Sequence, residues 1–113
     1  MWSMPDYVPL ASGVFQEEWK TPEDAKFPLG VIVSTPKAVE ALQTNGKTPL
    51  EFLQRHQSGD WGDLCKEDKE ENELSVKEGF RILSAYKMPD GQKLWIITEA
   101  DRSVTTLLLP SEY

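Results

Sequence analysis

The sequence predicts an α+β domain: an N-terminal arm and strand, three helices, then a C-terminal antiparallel β-meander in a sheet of three to four strands. Three observations carry that reading. Two Thr-Pro steps, Thr35-Pro36 and Thr48-Pro49, each set a capping hydroxyl before a first-turn proline. The last third of the chain holds three runs rich in β-branched and aromatic residues, separated by turn chemistry. The chain has 113 residues, 39% of them hydrophobic, which suits one core.

The elements follow in order. Residues 1–28 show no periodicity but carry Trp2, Tyr7, Phe15, Trp19 and Phe27 among Pro5, Pro9, Gly13 and Pro22. Disordered tails are poor in aromatics, so an irregular arm packed over the domain is expected, with a partner-binding arm as the alternative. The domain proper is placed at residues 29–113. Leu29–Ser34 is an apolar run and reads as a strand. Thr35 then caps a helix whose buried side carries Val39 and Leu42, with Gly46 as its stop. Thr48 and Glu51 have capping-box spacing, Phe52 and Leu53 point inward, and Gly59 closes the second helix.

A third helix is expected from Asp60 to about Glu78. At 100° per residue, Trp61, Leu64, Cys65, Asp68, Asn72, Ser75 and Val76 share one arc, while Glu67, Glu70, Glu71 and Glu73 fall on the solvated side. The strands Phe80–Lys87, Lys93–Glu99 and Val104–Leu109 follow, joined by Pro89-Asp90-Gly91 and by Ala100-Asp101-Arg102-Ser103.

Composition removes several function classes. Nineteen acids against 12 bases give a net charge of −7, opposite to what displacing counterions from nucleic-acid phosphates requires. Most of that charge falls on residues 60–78, which hold eight acids and three bases. Cys65 is the single cysteine, so an internal disulfide, a zinc knuckle and a CxxC pair are all excluded. A lone thiol suits a reducing cytosol, and the N-terminus lacks a basic segment followed by an apolar one, so a cytoplasmic protein is expected. The longest apolar stretches are far below the ~20 residues of a membrane span. No cofactor or metal is expected, since the single histidine, His56, has no cysteine or second histidine to partner it. Gly46-Lys47-Thr48 resembles the end of a phosphate-binding loop, but Ala41 stands where its first glycine belongs.

The candidate chemistry gathers around His56. In the last turn of a helix its charged form is favoured by the terminal carbonyls, which makes it either a helix cap or a general acid/base. Arg81 and Arg102 could form a fork for a phosphate or carboxylate, or pair with Glu99 and Asp101 within the sheet. Tyr86, Ser103 and Thr105 are the supporting hydroxyls of the catalytic reading. Asp60, Trp61, Asp68, Asn72, Thr98 and Asp101 are candidate binding residues, each with a structural alternative as cap, core plug or turn former.

The runs His56-Gln-Ser-Gly59-Asp60-Trp61-Gly62-Asp63-Leu64, Leu83-Ser84-Ala85-Tyr86 and Ile97-Thr98-Glu99-Ala100-Asp101-Arg102-Ser103, with Thr105-Thr106 through Leu109-Pro110 and Tyr113, resemble a group of short bacterial proteins described as plasmid-related and often carried on mobile elements. The resemblance spans roughly residues 29–113 and brings no activity with it. A second likeness is architectural. Helices bearing a histidine before a meander bearing arginine and hydroxyls look like the barnase, EndoU and RelE-like ribonucleases. That likeness implies metal-independent RNA cleavage by His56 with Arg81 or Arg102 at the phosphate.

Two functions are therefore expected to compete. One is an acidic accessory protein of a mobile element that docks a basic protein surface through Glu67, Glu70, Glu71 and Glu73, and so inhibits a nucleic-acid-binding host factor. The other is a ribonuclease or other phosphate-directed enzyme.

Overall fold

The computed structural model describes residues 25–113 and the backbone pairing of Val8–Pro9, so the expected packing of the aromatic arm lies outside the described residues. Val8–Pro9 is β1 and Val31–Ser34 is β2. Helices α1 (Pro36–Thr44), α2 (Pro49–Gln57) and α3 (Lys66–Glu78) follow. Strands β3 (Ile82–Lys87), β4 (Lys93–Thr98) and β5 (Val104–Leu108) complete the sheet, and Pro110–Glu112 forms one 3-10 turn.

The α+β class and the order of elements agree with the sequence. The strands lie β1-β2-β5-β4-β3, with β3, β4 and β5 as the antiparallel meander. What the antiparallel reading lacks is the direction of the fourth strand. β2 joins β5 in parallel, with Ile32 opposite Thr105 and Ser34 opposite Leu107, so the sheet is mixed. The connection between them runs through all three helices and then β3 and β4, far more than the dozen residues that a parallel pair demands.

Alternation along each strand assigns the faces. Ile32, Leu107, Ile96, Leu94, Ile82 and Tyr86 meet Ala38, Ala41 and Leu42 of α1 and Phe52 and Leu53 of α2 in one core. Phe27, expected in the arm, belongs to this core and is 6% exposed. Val33, Ile97, Thr106 and Leu108 on the opposite face are buried too, so the strands read as apolar runs without a polar side.

The helix starts differ in chemistry despite their matching Thr-Pro steps. Thr35 Oγ1 accepts from the Ala38 amide at 3.1 Å and donates to Glu112 Oε1 at 2.7 Å, tying the start of α1 to the C-terminal turn. Thr48 makes no side-chain cap, and the expected capping box is not formed. Glu51 turns instead to Lys47, 3.6 Å away.

The third helix begins later than its periodicity suggests. Asp60–Cys65 is a loop, because Trp61 and Gly62 are held against β3 rather than wound into helix. The Ala85 amide donates to Trp61 O at 3.2 Å and the Asp63 amide to Ala85 O at 2.6 Å. Gly62 is obligatory there: its φ is 77° and an added Cβ would lie 2.0 Å from Ala85 O.

Asn72 extends the same edge cover. Its Nδ2 donates to Leu83 O at 2.7 Å and its Oδ1 accepts from the Leu83 amide at 3.2 Å, so one side chain stands in for a neighbouring strand. Leu83 and Ala85 thus have their outward peptide groups satisfied, which blunts an edge that would otherwise template strand addition.

Replacing Asn72 with Ala leaves a donor and an acceptor of β3 unpaired. The expected cost is about 2–3 kcal/mol in a denaturant titration, with Asn72→Asp, which keeps the acceptor, intermediate. A loss below about 0.5 kcal/mol would show that the amide clamp does not hold the edge.

Candidate functional site

The polar centre of the molecule is built where α2 crosses the sheet. Thr98 on β4 faces Thr105 on β5 directly, and Ser84 on β3 lies one diagonal away, since it pairs with Ile96. His56 comes down from the last turn of α2 onto that diagonal. Its Nδ1 is 2.5 Å from Ser84 Oγ and its Nε2 is 2.9 Å from Thr98 Oγ1. All four side chains are at 0% exposure.

Counting hydrogens determines the direction of every bond. Thr105 Oγ1 donates its one hydrogen to Leu29 O at 2.7 Å, so toward Thr98, 2.8 Å away, it can only accept. Thr98 therefore donates to Thr105 and accepts from His56 Nε2–H. With the proton on Nε2, Nδ1 of the neutral ring is the acceptor for the Ser84 hydroxyl. The result is a relay with one sense: Ser84 to His56, to Thr98, to Thr105, to the Leu29 carbonyl.

This corrects the sequence reading of His56. The helix C-terminus favours a cation, but full burial outweighs it, and the positive Arg102 adds to the effect, lowering the ring's pKa from 6.5 to about 3. Phe27 and Trp61 seal the ring edge-on, with centroids at 5.1 Å and 6.1 Å. His56 is neither a helix cap nor an exposed acid/base. It is a neutral core imidazole.

Arg102 is likewise consumed by structure. It sits at φ 60°, the left-handed region, in the β4–β5 turn. Its Nη1 donates to Phe80 O at 2.7 Å and Glu99 O at 3.2 Å, and its Nη2 to Ser75 O at 2.8 Å. A cation on the last carbonyls of α3 suits the negative end of the helix dipole. Arg81 is engaged elsewhere, donating to the Tyr113 hydroxyl at 2.9 Å. The expected two-arginine fork is not assembled, and neither is a pairing of Arg102 with the Glu99 or Asp101 carboxylate. Asp101 accepts instead from the Ser103 amide at 3.0 Å and hydroxyl at 2.6 Å, closing its own turn.

The remaining candidates divide in the same way. Tyr86 donates to Asp60 O at 2.6 Å, and burial pushes its phenol pKa up. Asp60 pairs with Arg55 at 2.7 Å, which holds its carboxyl below the usual range. Trp61 donates to Glu73 Oε2 at 2.7 Å, so Glu73 belongs partly to the support of the core. Asp68, expected on the inner arc with Asn72, is exposed, as is Cys65. Cys65 precedes the helix and does not share its phase, whereas Asp68 is in phase but sits in the first turn, one turn before the stretch of α3 where Asn72 and Ser75 are buried. Thr106 Oγ1 is buried on the opposite face with no hydrogen-bond partner among the described residues.

Ser84 was missed as a member of this site. The available signal was a small hydroxyl at an inward position of the apolar strand, in phase with Ile82 and Tyr86. Among the described residues no group of histidine, cysteine and carboxylate side chains could hold a metal ion, and no helix is long and apolar enough to cross a membrane. The chain matches no protein-family model, no curated protein sequence and no solved structure.

The relay makes stability depend on pH with a definite sign. The unfolded ring protonates near 6.5 and the folded one near 3, so the unfolded state binds the extra proton between those values. The contribution of His56 is complete above pH 6.5 and is lost on the way down to pH 3, by ~1.4 kcal/mol for each pH unit. Denaturant titrations across that window should show this slope in wild type and a shallower one in His56→Gln. Equal slopes would mean that the ring is already charged in the fold.

Proposed function

We propose that the protein is a non-enzymatic interaction protein whose α3 docks a basic surface. The observation that carries this is the outward face of α3. Glu67, Glu70, Glu71, Leu74 and Glu78 are exposed on one helix, in the stretch that holds most of the net charge. Leu74 is 45% exposed among those carboxylates, a combination that suits a partner surface more than bare solvation. The ion pair on this face, Lys66 with Glu70, is long at 3.9 Å and largely exposed, so a partner's guanidinium could replace it at little cost.

The partner class follows from charge. A row of carboxylates along a helix can occupy positions that phosphates would take on a nucleic-acid-binding protein. The resemblance to mobile-element proteins supports the same setting, in which an accessory protein blocks a host factor. The ribonuclease reading draws no support from His56, Arg81 or Arg102, since the first is sealed and the arginines serve separate carbonyl and phenol partners.

An arginine-rich peptide, followed by fluorescence anisotropy at low and high salt, serves as the probe. Glu67→Lys, Glu70→Lys and Glu71→Lys together should weaken binding at low salt by at least about 100-fold while leaving the unfolding midpoint near wild type. Glu73 is left in place because it holds Trp61. Binding that survives the triple reversal would overturn the proposal.

A further inference from the structure

We propose that residues 25–30 form a strap over His56 that mild acid releases as a unit before the sheet unfolds. The strap is joined to the site at three points. The Lys26 amide donates to Gln57 O at 2.8 Å. Gln57 Nε2 donates to Phe27 O at 2.8 Å, and Thr105 Oγ1, the last hydroxyl of the relay, donates to Leu29 O. Two of these ties come from Gln57, which adjoins His56 in the chain, and one from the relay itself. The strap thus covers the imidazole and is anchored to its immediate surroundings.

Protonation has no place to go while the strap is down. A second hydrogen on Nδ1 would meet the Ser84 hydroxyl, which already points its own hydrogen there, so Ser84 would have to turn away. The groups facing the ring contain no carboxylate to neutralise it. β3 presents Ser84, β4 Thr98, the 60–63 loop Trp61 and the strap Phe27. The charged group nearby is Arg102, stacked 5.6 Å over Phe27, and its sign is wrong. Arg55 on the same helix is directed to Asp60 and the Tyr86 ring.

Hydration is the remaining way to stabilise the cation, and one of the two covers yields more readily. Trp61 is held by Glu73 and by the β3 backbone. Phe27 lies on a short segment ending at Gly30, whose φ of 67° allows a pivot that other residues rarely adopt. Lifting the strap breaks three hydrogen bonds and exposes Phe27 and Leu29, whereas moving Trp61 disturbs the edge of the sheet. The strap is the lower-energy opening.

Hydrogen exchange on the wild-type chain tests this, with rates corrected for the intrinsic effect of pH. An uncovered imidazole titrates near 6.5, so the opening constant rises about tenfold per pH unit below that value. The Lys26 amide should lose protection by about 100-fold between pH 6.5 and 4.5, with little dependence on low urea. The β4 amides, which open only with the whole fold, should stay far better protected and keep a steep urea dependence. In His56→Gln the strap amides should hold the same protection across that range. Equal protection and equal urea dependence in strap and β4 would mean global unfolding and would overturn the proposal, as would strap protection in wild type that ignores pH. The wild-type comparison decides the matter even if the variant does not fold.

Discussion

The fold depends on a histidine that must stay uncharged. A neutral imidazole offers one donor and one acceptor in opposite directions, and here those directions span two strands. His56 therefore links α2 to β3 through Ser84 and to β4 through Thr98, and Thr105 carries the link to β5 and the Leu29 carbonyl. Each hydroxyl has one hydrogen, so no bond can reverse without orphaning a buried atom elsewhere. A network of this sort specifies register as well as adding energy. Sliding β4 by one residue would send Thr98 to the other face and leave the imidazole against carbon.

Charge is partitioned accordingly. The cations near the core are spent within the fold: Arg102 on the backbone carbonyls of Ser75, Phe80 and Glu99, and Arg55 on the Asp60 carboxylate and the Tyr86 ring. Arg102 does more than cap α3. Its guanidinium spans the end of α3, the start of β3 and the β4–β5 turn, and it covers Phe27 above His56. Its left-handed backbone costs roughly 1 kcal/mol and aims the side chain at those carbonyls. Acids outnumber bases 19 to 12, and the surface excess of carboxylates is concentrated on α3.

What the sequence made legible was local. Pro89-Asp90-Gly91 and the β-branched runs mark the meander, and Thr35-Pro36 marks a helix start, because turn and cap chemistry acts within a few residues. The parallel pairing of β2 with β5 joins residues more than seventy positions apart, and no short-range pattern encodes it. The length of α3 was overread for a related reason. Helical phase from Asp60 to Cys65 is real in the sequence, but Trp61 gains more by filling the core and bonding to Ala85 than by continuing a helix. His56 and Asn72 were recognised as unusual, and their partners were not, since Ser84 and the Leu83 peptide group are set by tertiary contact.

The same long-range contacts narrow how the molecule can meet another. A sheet usually recruits partners by adding a strand at an open edge. Here β2 pairs with Val8–Pro9, and β3 is covered by Asn72, Trp61 and Asp63. The face toward α1 and α2 is filled by the core. What α3 spends on the fold is confined to one side, through Asn72, Ser75 and the Glu73 carboxylate that steadies Trp61. Its opposite side carries Glu67, Glu70, Glu71 and Leu74, residues that no described helix or strand needs. A surface charged this densely repels itself at low ionic strength, which costs stability that a solvated helix of mixed charge would avoid. A basic partner would relieve that repulsion, so binding and folding favour the same charge complement at this one face.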